Sequence, residues 1–372
     1  MDLAIIASSA RPLVASAARA GFAALSLDLW ADLDTCAHSA RCVRVHRRGE
    51  GFDGDDLIKA LSTLAPAGLP VVLGAGLDDD PALMTRIAGR NPILGNAPQT
   101  LRVLKDPQAL AALCGHLDIP TPRFSIAAGD FGAAPVLEKK VGGTGGSHIR
   151  RHPPGHAEAP AADHFLQEEV AGTTYSLLLI AGGGRSEIIG AARQWHAGDA
   201  VHPFRYGGSV GPVRLPEAHA AAIRDAAARL VKATGLVGLV SLDVVVGETG
   251  WHLVEVHPRP GVLLDIFDVD PLPPLMGLHI AACGGRMPDG LPAPSEVHAG
   301  TVIYADRPLV VPDAPWPDHT ADRPAAGTAI AAGAPLCSAH ATGPTEEIAV
   351  ERVEAIAEKV RAGFGLREAE PA

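Results

Sequence analysis

Apolar and polar positions alternate in blocks along the chain, and the clearest block is Gly238 to Gly261. Two apolar runs, Leu239 to Val246 and Trp251 to Val256, flank the turn residues Gly247, Glu248, Thr249 and Gly250, a pattern that predicts a hairpin. Near the start, the apolar run Leu3 to Ala7 leads into a small polar turn, Ser8 to Pro12. A helical stretch, Leu13 to Ala20, follows, with Gly21 as its stop and a second strand over Ala23 to Leu29. This is a β-loop-α-β unit. Val71 to Leu73, with Gly74 and Gly76 behind it, reads as another buried strand whose end opens into a loop of the kind that binds ligands.

From Pro98 the pattern changes to a helix, Asp106 to His116, opened by Pro107 and closed before Ile119-Pro120-Thr121-Pro122. A strand over Pro135 to Val141 runs into the glycine-rich Gly142-Gly143-Thr144-Gly145-Gly146. Strands over Phe165 to Val170 and Tyr175 to Ala181 follow, then a turn at Gly182 to Gly184 into Glu187 to Ala191, and a helix, Ala218 to Thr234, ended by Gly235. After Gly285 short alternating runs such as Thr301 to Tyr304 and Ala334 to Ser338 predict a small β-rich part closed by a helix over Glu346 to Phe364, with the last few residues frayed. The expected division is an N-terminal parallel α/β domain over 1–95, a central α+β domain over 96–285 with a lid at about 120–165, and a C-terminal domain over 286–372.

The 372 residues are 47% hydrophobic but only 4% aromatic, and their net charge of -11 argues against nucleic-acid or anionic-membrane partners. No apolar run approaches the roughly 20 residues needed to span a bilayer, so a cytoplasmic location is expected and self-association is left open. The five scattered cysteines, Cys36, Cys42, Cys114, Cys283 and Cys337, form no Cys-x-x-Cys pair and read as reduced, mostly buried small hydrophobes. Only six of the 31 basic residues are lysines, which draws attention to Lys105 and Lys139, each at the end of an apolar segment.

In the hairpin, Asp243 and Glu255 lie close to opposite each other. An odd number of residues in the connecting loop would turn both carboxylates to one face, with His257 beside them. Two carboxylates so placed repel unless a positive charge sits between them, and Mg²⁺ or Mn²⁺ held by a carboxylate pair would supply it. The plain alternative is a solvated hairpin with two unrelated acids. The glycine run lacks the Gly-Lys-Ser/Thr ending of a Walker loop, and Pro153-Pro154 follows too soon for a Rossmann helix. What remains is a glycine-rich lid whose amides can approach phosphate oxygens, or a mobile loop without that role.

Taken together, the Ala-Ser-Ser-Ala-Arg turn, V-L-K-D-P at Lys105, L-E-K-K-V-G-G-T-G-G, F-L-Q-E-E-V-A-G-T-T-Y-S and the D…E-x-H-P-R-P-G end resemble an ATP-grasp enzyme over Leu3 to Gly285. The resemblance implies phosphate lysines at Lys105 and Lys139, a lid with Gly143, Gly145 and Gly146, an adenine hinge at Gln167, Glu168, Glu169 and Val170, metal acids at Asp243 and Glu255, and a catalytic Arg259. It also implies ATP with Mg²⁺ as cofactors and a ligase that joins a small-molecule carboxylate to an amine through an acyl phosphate. Relatives of the biotin carboxylase type, some of which make one-carbon carrier cofactors, suggest that setting. Three departures stand out: His257 replaces the usual metal-binding Asn, Lys140 follows the lid lysine where Pro is frequent, and Thr174 replaces the ribose acid. They motivate a second reading as a nucleotide-binding scaffold without turnover, and the β-rich tail allows a third, a bicarbonate-using carboxylase. Arg11, Arg193 and Arg205 are weaker anion-binding candidates, for which surface salt bridges are the expected role.

Overall fold

The computed structural model describes residues 1–367 apart from Pro154, His156, Ala157 and Ala200, so the expected fraying of the last residues falls outside the described part. The N-terminal region forms a parallel four-stranded sheet in the order Arg41–Arg44, Ala24–Asp28, Leu3–Ala7, Val71–Leu73. Leu3, Ile5 and Ala7 enter one core and Ala4 and Ile6 another. Both faces are covered, which is why this strand reads as an unbroken apolar run rather than an alternation.

Cys36 and Cys42 correct the expectation of reduced, buried thiols. They are joined as a disulfide with their Cα atoms 4.9 Å apart, at the start of the strand Arg41–Arg44 and the end of the short helix Leu33–His38. Cys114, Cys283 and Cys337 are free.

A helix that the sequence pattern does not announce, Pro98–Lys105, precedes the expected helix Pro107–His116. The residue before a proline is pushed out of the helical region, so Asp106, with ψ of 117°, ends the first helix. Its side chain then caps the second, accepting from the Gln108 and Ala109 amides at 2.8 and 2.9 Å. Lys105 is thereby fixed in a last helical turn.

An antiparallel sheet of four short strands, Phe124–Ser125, His164–Glu168, Val136–Lys140 and Arg150–His152, carries the glycine lid. The largest sheet has eight strands in the order Gly250–His257, Gly238–Gly247, Thr173–Gly182, Arg185–His196, Tyr206–Gly211, Val297–Tyr304, Pro335–Gly343, Thr320–Ala321. Three C-terminal strands thus continue this sheet, while Leu309–Val310 and Ala329–Ile330 pair separately as a two-stranded sheet. The closing helix Glu346–Phe364 begins at Thr345, whose hydroxyl accepts from the Ile348 amide, and stops at Gly365, whose φ of 61° ends it in a left-handed turn.

Leu177, Leu179, Val240, Leu242 and Val244 pack on one face of the large sheet with the helix Glu217–Thr234, while Leu178, Ile180 and Leu239 pack on the other against the N-terminal region. Asp243 and Ser176 share this second face by the period-two rule, and they stand directly opposite each other. The alternation therefore delivers a carboxylate to the face of the eight-stranded sheet that meets the N-terminal region.

Candidate functional site

The hairpin turn is even, not odd: Gly247 pairs with Gly250 across Glu248 and Thr249. An unbroken ladder would then set Val254 opposite Asp243 and turn Glu255 to the other face. A bulge intervenes, because Val244 pairs with Leu253 but Asp243 with Glu255, leaving Val254 as the extra residue. The bulge supplies the odd residue that the loop does not.

Asp243, Glu255 and His257 offer ligand atoms that all lie within 4.8 Å of one another. His257 spans the pair, with Nε2 3.1 Å from Asp243 Oδ2 and Nδ1 3.5 Å from Glu255 Oε1. Lys105 Nζ donates to Glu255 Oε1 at 2.6 Å. Burial works against the ionised form of Glu255, yet the nearby charges of His257 and Lys105, the lysine hydrogen bond and Lys139 hold its pKa well below the carboxylate range. A carboxylate pair whose Glu255 is kept ionised by surrounding positive groups fits a divalent cation: two oxygen ligands from the protein leave the remaining positions to water and phosphate oxygens.

Behind Asp243 stands a relay that the sequence did not single out. Ser176 Oγ donates to Asp243 Oδ1, and Gln194 Nε2 donates to Ser176 Oγ at 2.5 Å. Arg259 is held by Asp78, with Nε 2.9 Å and Nη2 2.6 Å from Oδ2. Burial disfavours both charges, but each supports the other, so the Asp78 pKa lies below and that of Arg259 above its ordinary value. Asp78 follows the strand Val71–Leu73, so the loop suspected of binding a ligand instead positions the arginine.

A cleft of about 660 Å³, open mouth included, runs alongside. Leu104, Pro107, Phe124 and Phe165 give it apolar lining, and Lys105, Lys139, Gly142, Gly143, His148, Gln167 and Glu255 give it polar and charged lining. Lys139 donates no hydrogen bond among the described residues, and burial lowers its pKa against the pull of Glu255 and Asp243. The residues suggested as a hinge separate. Gln167 lines the cleft, whereas Glu168 accepts from Arg123 at 2.9 Å, Glu169 pairs with Arg151 at 2.5 Å, and neither of these nor Val170 lines it.

The lid glycines divide as well. Gly142 and Gly143 line the cleft, and Gly145 and Gly146 sit beyond it. The Gly145 carbonyl accepts from the Tyr206 amide at 2.9 Å, a side chain at Gly146 would collide with the Phe204 carbonyl, and Lys140 Nζ meets Asp79 at 2.9 Å. These contacts are few and partly exposed, so the lid opens at small cost. Amides of Gly142 to Gly146 are expected to exchange at least about tenfold more slowly with Mg-ATP than without it, as read by hydrogen exchange. Equal rates would contradict a role for the lid in holding nucleotide.

The weaker arginine candidates have partners within the protein. Arg11, expected at the surface, is buried and binds Asp265 and Asp322, tying the N-terminal helix Arg11–Arg19 to later parts of the chain. Arg193 pairs with Glu346, and Arg205 lies 4.0 Å from the Tyr304 ring centre.

A family model described as an ATP-grasp domain matches residues 108–262. No curated protein sequence matches the chain. Among solved structures, biotin carboxylase from Campylobacter jejuni, in a complex with an ATP species, superposes with a TM-score of 0.71 at 13% identity, covering 95% of this chain and 90% of that one. N5-carboxyaminoimidazole ribonucleotide synthetase from Thermus thermophilus gives 0.68 at 16% identity, with 100% and 99% covered. The biotin carboxylase domain dimer of 2-oxoglutarate carboxylase from Hydrogenobacter thermophilus, with MgADP and bicarbonate, gives 0.70 at 11% identity, with 95% and 89% covered. At these identities the likeness is one of fold.

Proposed function

We propose an ATP-dependent ligase that joins a small-molecule carboxylate to an amine, on the premise of the ATP-grasp domain match over residues 108–262 and of a fold like that of biotin carboxylase. The observation that carries this reading is the bulge-aligned Asp243 and Glu255, with Lys105 on Glu255, beside a cleft lined by apolar side chains and by Lys105 and Lys139. Bound Mg-ATP supplies the phosphoryl group and a divalent charge. The chain does the rest: Asp243 and Glu255 hold the cation, Ser176 and Gln194 orient Asp243, Lys105 and Lys139 neutralise phosphate charge, and Arg259 faces the charge that develops on transfer. The closed lid keeps water from an acyl phosphate until the amine attacks. Whether His257 ligates the cation or only orders the two acids, its contacts to both keep them together.

A cytoplasmic location, a homo-oligomeric state, the three-part division near residues 95 and 285, and a place in making one-carbon carrier cofactors belong to the same proposal. No helix among the described residues is long and apolar enough to cross a membrane. Bicarbonate as the first acid is the second reading, favoured by the bicarbonate bound in one similar structure.

The test is ADP release from Mg-ATP against a panel of carboxylic acids and bicarbonate, with hydroxylamine as the amine. One acid is expected to raise ADP release at least about tenfold over the background rate and to yield a hydroxamate in equal amount. If the protein binds Mg-ATP but no acid stimulates release, the scaffold reading replaces this one.

A further inference from the structure

We propose that His148, on the lid, binds the terminal phosphate of the nucleotide and so distinguishes ATP from ADP. The inference rests on the nucleotide reading above. His148 lines the cleft, with Lys139 and Glu255, which also line it, near enough to act on its charge. Its Nδ1 atom is shielded from solvent yet has no hydrogen-bond partner among the described residues. A buried polar atom left without a partner, in a cleft built for a ligand, marks where a ligand atom belongs.

The lid's own backbone makes room for the ring. The ring lies over Gly143, where an added Cβ would come within 2.6 Å of it, so the glycine is needed to admit the imidazole. Burial lowers the His148 pKa, with Lys139 adding to that effect and Glu255, Glu50 and the Thr144 backbone opposing it. Burial favours the neutral ring, whose one N–H can donate to a phosphate oxygen without adding a third permanent charge beside Lys105 and Lys139. Contact with the terminal phosphate also couples lid closure to the nucleotide that can react, since ADP offers no group at that position.

Calorimetric titrations of the full chain with Mg-ADP and with the Mg complex of a non-hydrolysable β,γ-imido ATP analogue test this in the wild type, His148→Ala and His148→Gln. His148→Ala is expected to weaken the analogue about tenfold while changing Mg-ADP affinity less than about twofold, as loss of one hydrogen bond to a charged group would. His148→Gln, which keeps a donor, should recover part of the loss. Equal weakening for both nucleotides, or none for either, would overturn the assignment. A wild type that binds neither nucleotide would instead overturn the ATP-dependent function, and this inference with it.

Discussion

Glu255→Gln is expected to lower ADP release by about 10³-fold or more while the protein keeps its fold, because one ligand charge is lost from a centre built on two. Glutamine preserves the side chain's shape and can still accept from Lys105, so circular dichroism should change little, while the melting temperature should fall because buried Lys105 loses its counter-charge. Mn²⁺ affinity in the presence of nucleotide, read by electron paramagnetic resonance, should fall alongside the rate. Asp243→Asn should behave alike, since neither carboxylate alone holds the cation. Unchanged ADP release in Glu255→Gln would remove the metal centre from this hairpin.

Arg259→Ala should have two separable effects. Its partner Asp78 is only 4% exposed, so removing the guanidinium strands a buried carboxylate, a loss of about 3–5 kcal/mol in stability by urea unfolding. Turnover should also fall, by about 10²–10³-fold, with KM for ATP changed far less, because the arginine faces charge that develops only on transfer. The double variant Arg259→Ala/Asp78→Ala distinguishes the two. Stability should largely return without the stranded charge, and turnover should not. Recovery of turnover in the double variant would reduce Arg259 to a structural role.

Segments governed by local rules are legible in the sequence. The helix Glu346–Phe364 has a capping Thr345, acids in its first turn and Gly365 at its end, and these signals mark both of its limits. Leu3–Ala7 and Val71–Leu73 are equally clear, because strands buried on both faces are short apolar runs with glycine or polar turns beside them. The helix Pro98–Lys105 is not. It spans two turns, and only the Asp106-Pro107 break separates it from its neighbour.

At the site, the residue types in the hairpin point to a cation, but the geometry that pairs them rests on a bulge at Val254, which alternation does not encode. Asp78 is illegible for another reason: it is one of three consecutive aspartates, and its partner lies 181 residues away. Ser176 and Gln194 are ordinary strand residues until the register sets them behind Asp243. His148 gives no signal in a chain of sixteen histidines, since only the folded lid shows its orphaned ring nitrogen. The disulfide between Cys36 and Cys42 likewise follows from a helix-to-strand turn that brings two scattered cysteines together.

The formation of an acyl phosphate is the central claim, and oxygen transfer tests it most directly. With the stimulating acid labelled with ¹⁸O in its carboxylate, and Mg-ATP and amine present in unlabelled water, the phosphate released should carry one ¹⁸O atom for each bond formed. Phosphate that carries no label from the acid, with ADP and the amide still produced, would contradict the acyl-phosphate route.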